Sequence, residues 1–166
     1  CLLTEVGRYV HCDDLVEVQR RCEGAVATVA AEWAATVDAI NGSSVERYYD
    51  QSVPFIYDLM WWHSLHDDLS PLAYVVALQL AGQRGCRRYL DFGSGVGAGG
   101  LLFARHGFEV TLADISSTLL AFSGWRFGER ALAARSIDLK IQTLPAGAFD
   151  FITAMESSFC WRCDCM

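Results

Sequence analysis

Five glycines fall between Gly93 and Gly100 in the stretch RRYLDFGSGVGAGGLLFARHG, and an acid, Asp91, stands two residues ahead of the first. A glycine-rich turn leading from a strand into a helix lets a ligand approach the main chain, and the helix N-terminus offers it unpaired N–H groups. Two registers compete. Gly95, Gly97 and Gly100 have the spacing of a dinucleotide fingerprint, whose chemistry is hydride transfer through NAD(P). Asp91, Gly93, Gly95 and Gly97 have another spacing, with a carboxylate at its head.

Asp91 separates the two. A carboxylate at the end of the strand would repel a pyrophosphate: at an effective dielectric near 20, two unit charges about 4 Å apart interact by roughly 4 kcal/mol. A cationic ligand end would gain from the same charge. S-adenosylmethionine carries a sulfonium and an ammonium and no phosphate, so it complements Asp91. A second acid, Asp114, closes the apolar run EVTLAD, 21 residues after Gly93. In a Rossmann-like sheet that position lies beside the first loop, where a carboxylate accepts both ribose hydroxyls. This contact serves NAD and S-adenosylmethionine alike. Ile115, next to it, is apolar and suits the face of an adenine ring.

These residues need a sheet to hold them. RRYLDF, FEVTLAD, SIDLKIQ and FDFITAM read as four strands. AGGLLFARHG and SSTLLAFSGWRFGERALAAR read as the helices between the first three, which predicts βαβ crossovers and a parallel sheet with helices on both faces. Ahead of them, Ser70-Pro71 starts a helix that stops at Gly85. The first part of the chain reads as helical. Asp13 or Asp14 caps a long helix over 15–40, stopped by Asn41-Gly42. Ser43 or Ser44 caps a short one, and Pro54 starts another. This segment is dense in rings: Tyr48, Tyr49, Phe55, Tyr57, Trp61 and Trp62. They read as a helical lid packed on the core, with Tyr49 and Tyr57 as candidates to line a substrate pocket. The organisation expected is a helical cap over 1–69, a Rossmann-like core over 70–156 and an irregular tail over 157–166.

Bulk composition narrows the partners. The chain has 166 residues, 52% hydrophobic and 20% charged, as a globular domain with a sizeable core has. A formal net charge of −7 argues against nucleic acid and anionic membrane as partners. No apolar run is long enough to span a bilayer, and no basic-then-apolar leader opens the sequence, so the cytoplasm is the default compartment. There Cys1, Cys12, Cys22 and Cys86 are expected to be reduced packing thiols.

The segments YLDFGSGVG, VTLADIS and FDFITAME, in that order, resemble the class I S-adenosylmethionine-dependent methyltransferases; the resemblance covers about Arg87 to Glu156. It implies the first four strands of that family's α/β fold, S-adenosyl-L-methionine as cofactor and methyl transfer to a small-molecule acceptor. Asp91, Gly93, Ser94, Gly95 and Gly97 would surround the methionine part of the cofactor. Asp114 would hold the ribose, and Glu156 would face the methyl group and the substrate. Two departures stand out. The family often has an acid after its third strand, where this chain has only Gln142 and Thr143. Glu156 is followed by Ser157-Ser158-Phe159, where many relatives carry a further acid and a histidine.

Other features admit less. The family has seven strands and this sequence shows four, which predicts a partial chain or, alternatively, a non-catalytic remnant that binds cofactor weakly, with FDFITAM as an exposed edge. In CWRCDC, Cys160 and Cys163 have metal-ligand spacing, but a structural zinc site wants two such pairs, so with Cys165 they read as a tail and no metal is expected. His63, His66, Asp67 and Asp68 have the residue types of a metal site or a general base; at the end of a helix they read first as capping, solvent-facing residues.

Overall fold

The computed structural model of the chain describes residues 1–38, 40–64 and 70–155. Five helices form the cap: α1 (Leu2–Tyr9), α2 (Leu15–Glu23), α3 (Ala25–Thr36), α4 (Gly42–Gln51) and α5 (Pro54–Trp62). The single helix expected over 15–40 is broken at Gly24, which ends α2 and starts α3. Asp14 caps α2, its carboxylate accepting the amides of Val16 and Glu17. Asn41 ends nothing; its side chain accepts the Ser43 amide and starts α4, while Ser44 is buried inside that helix and donates to the Thr36 carbonyl. Pro54 occupies the first turn of α5, where its missing N–H costs nothing.

The rest of the chain runs α6 (Ser70–Gln83), β1 (Arg88–Phe92), α7 (Ala98–Arg105), β2 (Glu109–Asp114), α8 (Ser117–Gly128), β3 (Arg135–Asp138) and β4 (Phe151–Thr153). The four strands form one parallel sheet in the order β3-β2-β1-β4. This is the α/β, Rossmann-like arrangement expected from the sequence.

Right-handed crossovers from β1 to β2 to β3 step in one direction, so both crossover helices fall on the same face. Ala77 and Ala81 of α6, Leu101 and Phe103 of α7, and Leu120 and Phe127 of α8 share one core with Tyr89, Val110 and Leu112. Tyr89 and Phe103 stack at its centre with ring centroids 3.6 Å apart. The opposite face differs from the expectation of helices on both sides. Leu90, Ala113 and Ile137 meet Phe92, Leu139, Leu144 and Phe149, a cluster with no helical member, because the chain returns from β3 to β4 there without a helix. That return crosses the sheet, and the direction of winding reverses between β1 and β4. Open α/β sheets bind ligands beside such a reversal, at the carboxyl ends of the strands.

The cap closes on this end. Val6, Val18, Cys22, Ala25, Ile56 and Met60 pack with Val96 of the glycine loop and with Leu119 and Phe122 of α8. β4 pairs with β1, and its Ile152 is 56% exposed. Among the described residues no helix is long and apolar enough to cross a membrane.

Candidate functional site

The loop from Gly93 to Gly97 connects β1 to α7 over the carboxyl end of the sheet. It is fastened to the neighbouring strand: the amides of Gly93 and Ser94 both donate to the Ala113 carbonyl, at 2.8 and 3.1 Å. At Gly97 φ is +74°, and a Cβ there would lie 2.9 Å from the Ser123 Cβ of α8, so only glycine fits. Gly100 answers a different need. A Cβ on it would lie 2.5 Å from Leu112 Cδ2, so its absence is what lets α7 lie close on β2.

Asp91 does not point into the space above this loop. It is fully buried beneath it, where Oδ2 accepts the Gly100 amide at 2.9 Å and Oδ1 accepts the Thr153 hydroxyl at 3.2 Å. The Thr153 hydroxyl also bonds Tyr89 Oη at 2.6 Å, so two hydroxyls in series end on the carboxyl. Burial pushes the Asp91 pKa up to about 7, although the Gly100 amide and the Thr153 and Tyr89 hydroxyls favour its charged form. Asp91 therefore does not face the space where a cationic ligand end would sit, contrary to the expectation from sequence. Asp91 also occupies the Gly100 amide, one of the N-terminal donors of α7 that a pyrophosphate would use.

Asp114, at the end of β2, lies above the sheet edge. Its Oδ2 accepts the Gly95 amide at 2.8 Å and its Oδ1 accepts the Ser116 amide at 2.9 Å. Burial raises its pKa, against the opposing pull of the Ser116, Gly95 and Ile115 amides. A carboxylate has about four lone-pair directions, so acceptor capacity remains for a ligand's hydroxyls.

Between the loop and the cap lies a cavity of about 240 Å³. Gly93, Ser94, Gly95, Val96 and Ala98 form one side, and Asp114, Ile115 and Ser116 continue it. Tyr49, Phe55, Leu59 and His63 close it from the cap, and Phe92, Leu119, Leu139 and Met155 add apolar wall. Ser94 has a distinctive position: its hydroxyl is a buried side-chain oxygen with no hydrogen-bond partner among the described residues. Such a group is costly unless something else satisfies it.

The loop is also held from the cap side. Arg126 of α8, buried, donates to the Val96 carbonyl and pairs with Glu5 of α1, Nε to Oε1 at 3.1 Å. Burial lowers the Arg126 pKa, and the Glu5 carboxylate opposes that shift. Arg130 pairs with Glu5 as well.

The residues singled out from sequence are thus distributed unevenly. Gly93, Ser94, Gly95, Asp114 and Ile115 line the cavity, as does Tyr49, which stacks on Phe55 with centroids 5.3 Å apart. Gly97 and Asp91 shape the loop from outside the cavity. Tyr57 lies elsewhere, buried among the cap helices, where its hydroxyl accepts from Arg21 Nη1 at 3.3 Å. His63 follows the last turn of α5 as its capping residue and also lines the cavity. Glu156, His66, Asp67, Asp68, Cys160, Cys163 and Cys165 lie outside the described residues. The strand expected over 136–142 ends at Asp138, so the acid at the end of the third strand is Asp138; its carboxylate pairs with Lys140. Tyr74, Leu59, Leu119 and Leu139 were missed as site residues. Each sits in an apolar helix or strand pattern that reads equally well as core.

Residues 90–164 match the family model of a methyltransferase domain. No curated protein matches the chain. One solved structure, described as concerning the conversion of a disulfide bond into a thioacetal group during echinomycin biosynthesis, is similar at 30% identity over 39% of this chain, with a TM-score of 0.34. This chain covers 26% of that structure's length.

Proposed function

We propose that residues 90–164, which match a methyltransferase-domain model, work as a class I S-adenosylmethionine-dependent methyltransferase, that the cavity between loop and cap binds S-adenosylmethionine, and that the protein transfers its methyl group to a small-molecule acceptor. The observation that carries the reading is the Asp114 carboxylate on the cavity wall, beside the main chain of Gly93 to Gly95 and with acceptor capacity left over. Ribose hydroxyls suit that capacity, and the main chain of the loop suits a polar amino-acid end. Ile115, Leu119 and Leu139 supply the apolar surface that a purine requires.

When bound, S-adenosylmethionine supplies an electrophilic methyl group on a sulfonium. The chain's own residues do the holding. Gly93 and Gly95 present main chain to the cavity, Asp114 would accept hydrogen bonds from hydroxyls, and the Tyr49–Phe55 pair forms part of the apolar wall. Transfer of this kind depends chiefly on alignment of the acceptor, and no base is assigned. The apolar, ring-lined cap wall supports a small, largely uncharged acceptor over a macromolecular one.

Calorimetric titration with S-adenosylhomocysteine tests the reading, with NADH titrated in parallel. Micromolar binding of the sulfur product and none of NADH is the expected result. Binding of NADH alone would make the Gly95, Gly97, Gly100 register the functional one. Binding of the sulfur product without methyl transfer to any member of a panel of phenols, amines and thiols would favour a cofactor-binding remnant.

A further inference from the structure

The ammonium of Lys140, two residues beyond β3, joins three parts of the protein at one point. Its Nζ lies 2.9 Å from Asp50 Oδ1 on cap helix α4 and 2.9 Å from Asp138 Oδ2 at the end of β3. It donates as well to the carbonyl of Ile115, just past β2. Asp50 has further ties to the sheet domain. The same Oδ1 accepts the amide of Ser117, the first residue of α8, at 2.8 Å, and the Asp50 carbonyl accepts the Thr118 hydroxyl at 2.7 Å.

The three charged side chains are 20% (Lys140), 23% (Asp50) and 20% (Asp138) exposed, too sheltered to be a solvated surface pair. Burial works against the Lys140 charge, but the Asp50 and Asp138 carboxylates outweigh it and hold its pKa above the usual lysine value. Burial likewise opposes the Asp50 charge, and Ser117 and Lys140 overcome it, so its pKa lies below the usual value. Removing one member leaves the others charged and partly desolvated.

Sequence neighbours connect this triad to the cavity. Tyr49 precedes Asp50, Leu139 precedes Lys140, and Ile115 is itself bonded to the ammonium; all three line the cavity. One cation therefore fixes both the Ile115–Leu139 surface and the cap wall facing it.

We propose that Lys140 is a positioning residue that couples the seating of α4 to filling of the nucleoside end of the cavity. The proposal rests on the cofactor reading above and adds to it a residue outside the family's glycine loop. Linkage makes the coupling reciprocal: if a seated α4 favours the ligand, the ligand favours a seated α4 by the same factor.

The experiment is amide hydrogen exchange of residues 42–51, with and without saturating S-adenosylhomocysteine, alongside calorimetric affinity, in the wild type and in Lys140→Met, Lys140→Arg and Asp50→Asn. In the wild type the ligand is expected to slow exchange in α4 about tenfold, and Lys140→Met to weaken binding by about the same factor and remove that response. Lys140→Arg keeps the charge and restores the response. Asp50→Asn keeps an oxygen for the Ser117 amide and loses only the charge, so it reports on the coupling even if Lys140→Met fails to fold; its affinity is expected to fall about fivefold. Binding to the wild type with no change in α4 exchange overturns the coupling and leaves the cofactor reading intact. So does wild-type affinity and response in Asp50→Asn. If the wild type does not bind S-adenosylhomocysteine, the cofactor reading falls and the coupling with it.

Discussion

The Asp114 carboxylate accepts the Gly95 amide at 2.8 Å, so the acid that ends β2 also sets the loop that follows β1. The same side chain holds the start of the next loop through Ser116. Asp114→Ala therefore removes the proposed ligand contact and frees two main-chain donors at once. Binding of S-adenosylhomocysteine is expected to weaken at least about 100-fold, and stability to fall by about 1–3 kcal/mol for the orphaned amides. Calorimetry and urea unfolding read the two effects separately. Wild-type affinity in the variant would remove Asp114 from the site.

Ser94 makes the opposite forecast for stability. Its hydroxyl is buried with no partner among the described residues, so Ser94→Ala relieves the free protein of an unmet polar group. The melting temperature should hold or rise, while affinity for S-adenosylhomocysteine falls about fivefold, the loss of one hydrogen bond worth about 1 kcal/mol. A variant that loses stability and keeps affinity would mean that the hydroxyl serves the fold.

Asp91 is expected to give the protein a stability that declines as pH rises. Its folded pKa is pushed up to about 7 from an ordinary 3.8, by burial first. Between those values the folded state binds more protons than the unfolded one, so the contribution is full below about 4, is lost through about 7 and is flat above. Asp91→Asn keeps an acceptor for the Gly100 amide and has no proton to lose. The wild-type-minus-variant difference in unfolding free energy should therefore fall by about 2–4 kcal/mol from pH 4 to pH 8. A difference that is flat with pH would mean that Asp91 titrates normally.

Glu5 and Arg126 have side chains 11% and 6% exposed, so neither charge is well solvated. Glu5→Ala leaves the guanidinium buried with less compensation, at a cost of about 3 kcal/mol. The double variant Glu5→Ala with Arg126→Met should recover part of that loss. Urea unfolding of the full mutant cycle measures it; purely additive losses would show that the pair does not interact.

The four strands, the glycine loop and the two acids near strand ends were legible in the sequence because each has a local signature: apolar runs, turn residues, and an acid at the end of an apolar run. Depth was less legible. Asp91 and Asp114 share one face of the sheet, since Asp91 lies opposite Leu112, but Asp114 stands two residues nearer the carboxyl end, so Asp91 falls beneath the loop while Asp114 reaches its Gly95 amide. Tyr57 was misjudged because Ser52 and Pro54 separate α4 from α5, so Tyr49 and Tyr57 share no helical face; Arg21 of α2 claims its hydroxyl. The acid after the third strand was hidden by an overlong strand. Asp138 also bonds the Lys140 amide, which turns the chain four residues earlier than the apolar pattern suggested. Lys140 itself had no signature, since its partners lie at positions 50, 115 and 138.

The pairing of Glu5 with Arg126 spans 121 residues. A ribosome adds about 5–20 residues each second, so α1 waits roughly 6–24 seconds after it is made for the arginine that neutralises it. Through that interval Val6, Val18, Ile56 and Met60 of the cap are on hand, but Phe122 of α8 is not. The cap is thus synthesised before the sheet and finished only once α8 has been made. A pause in translation between α5 and α8 would lengthen the time its apolar face spends in contact with chaperones rather than with the sheet it covers.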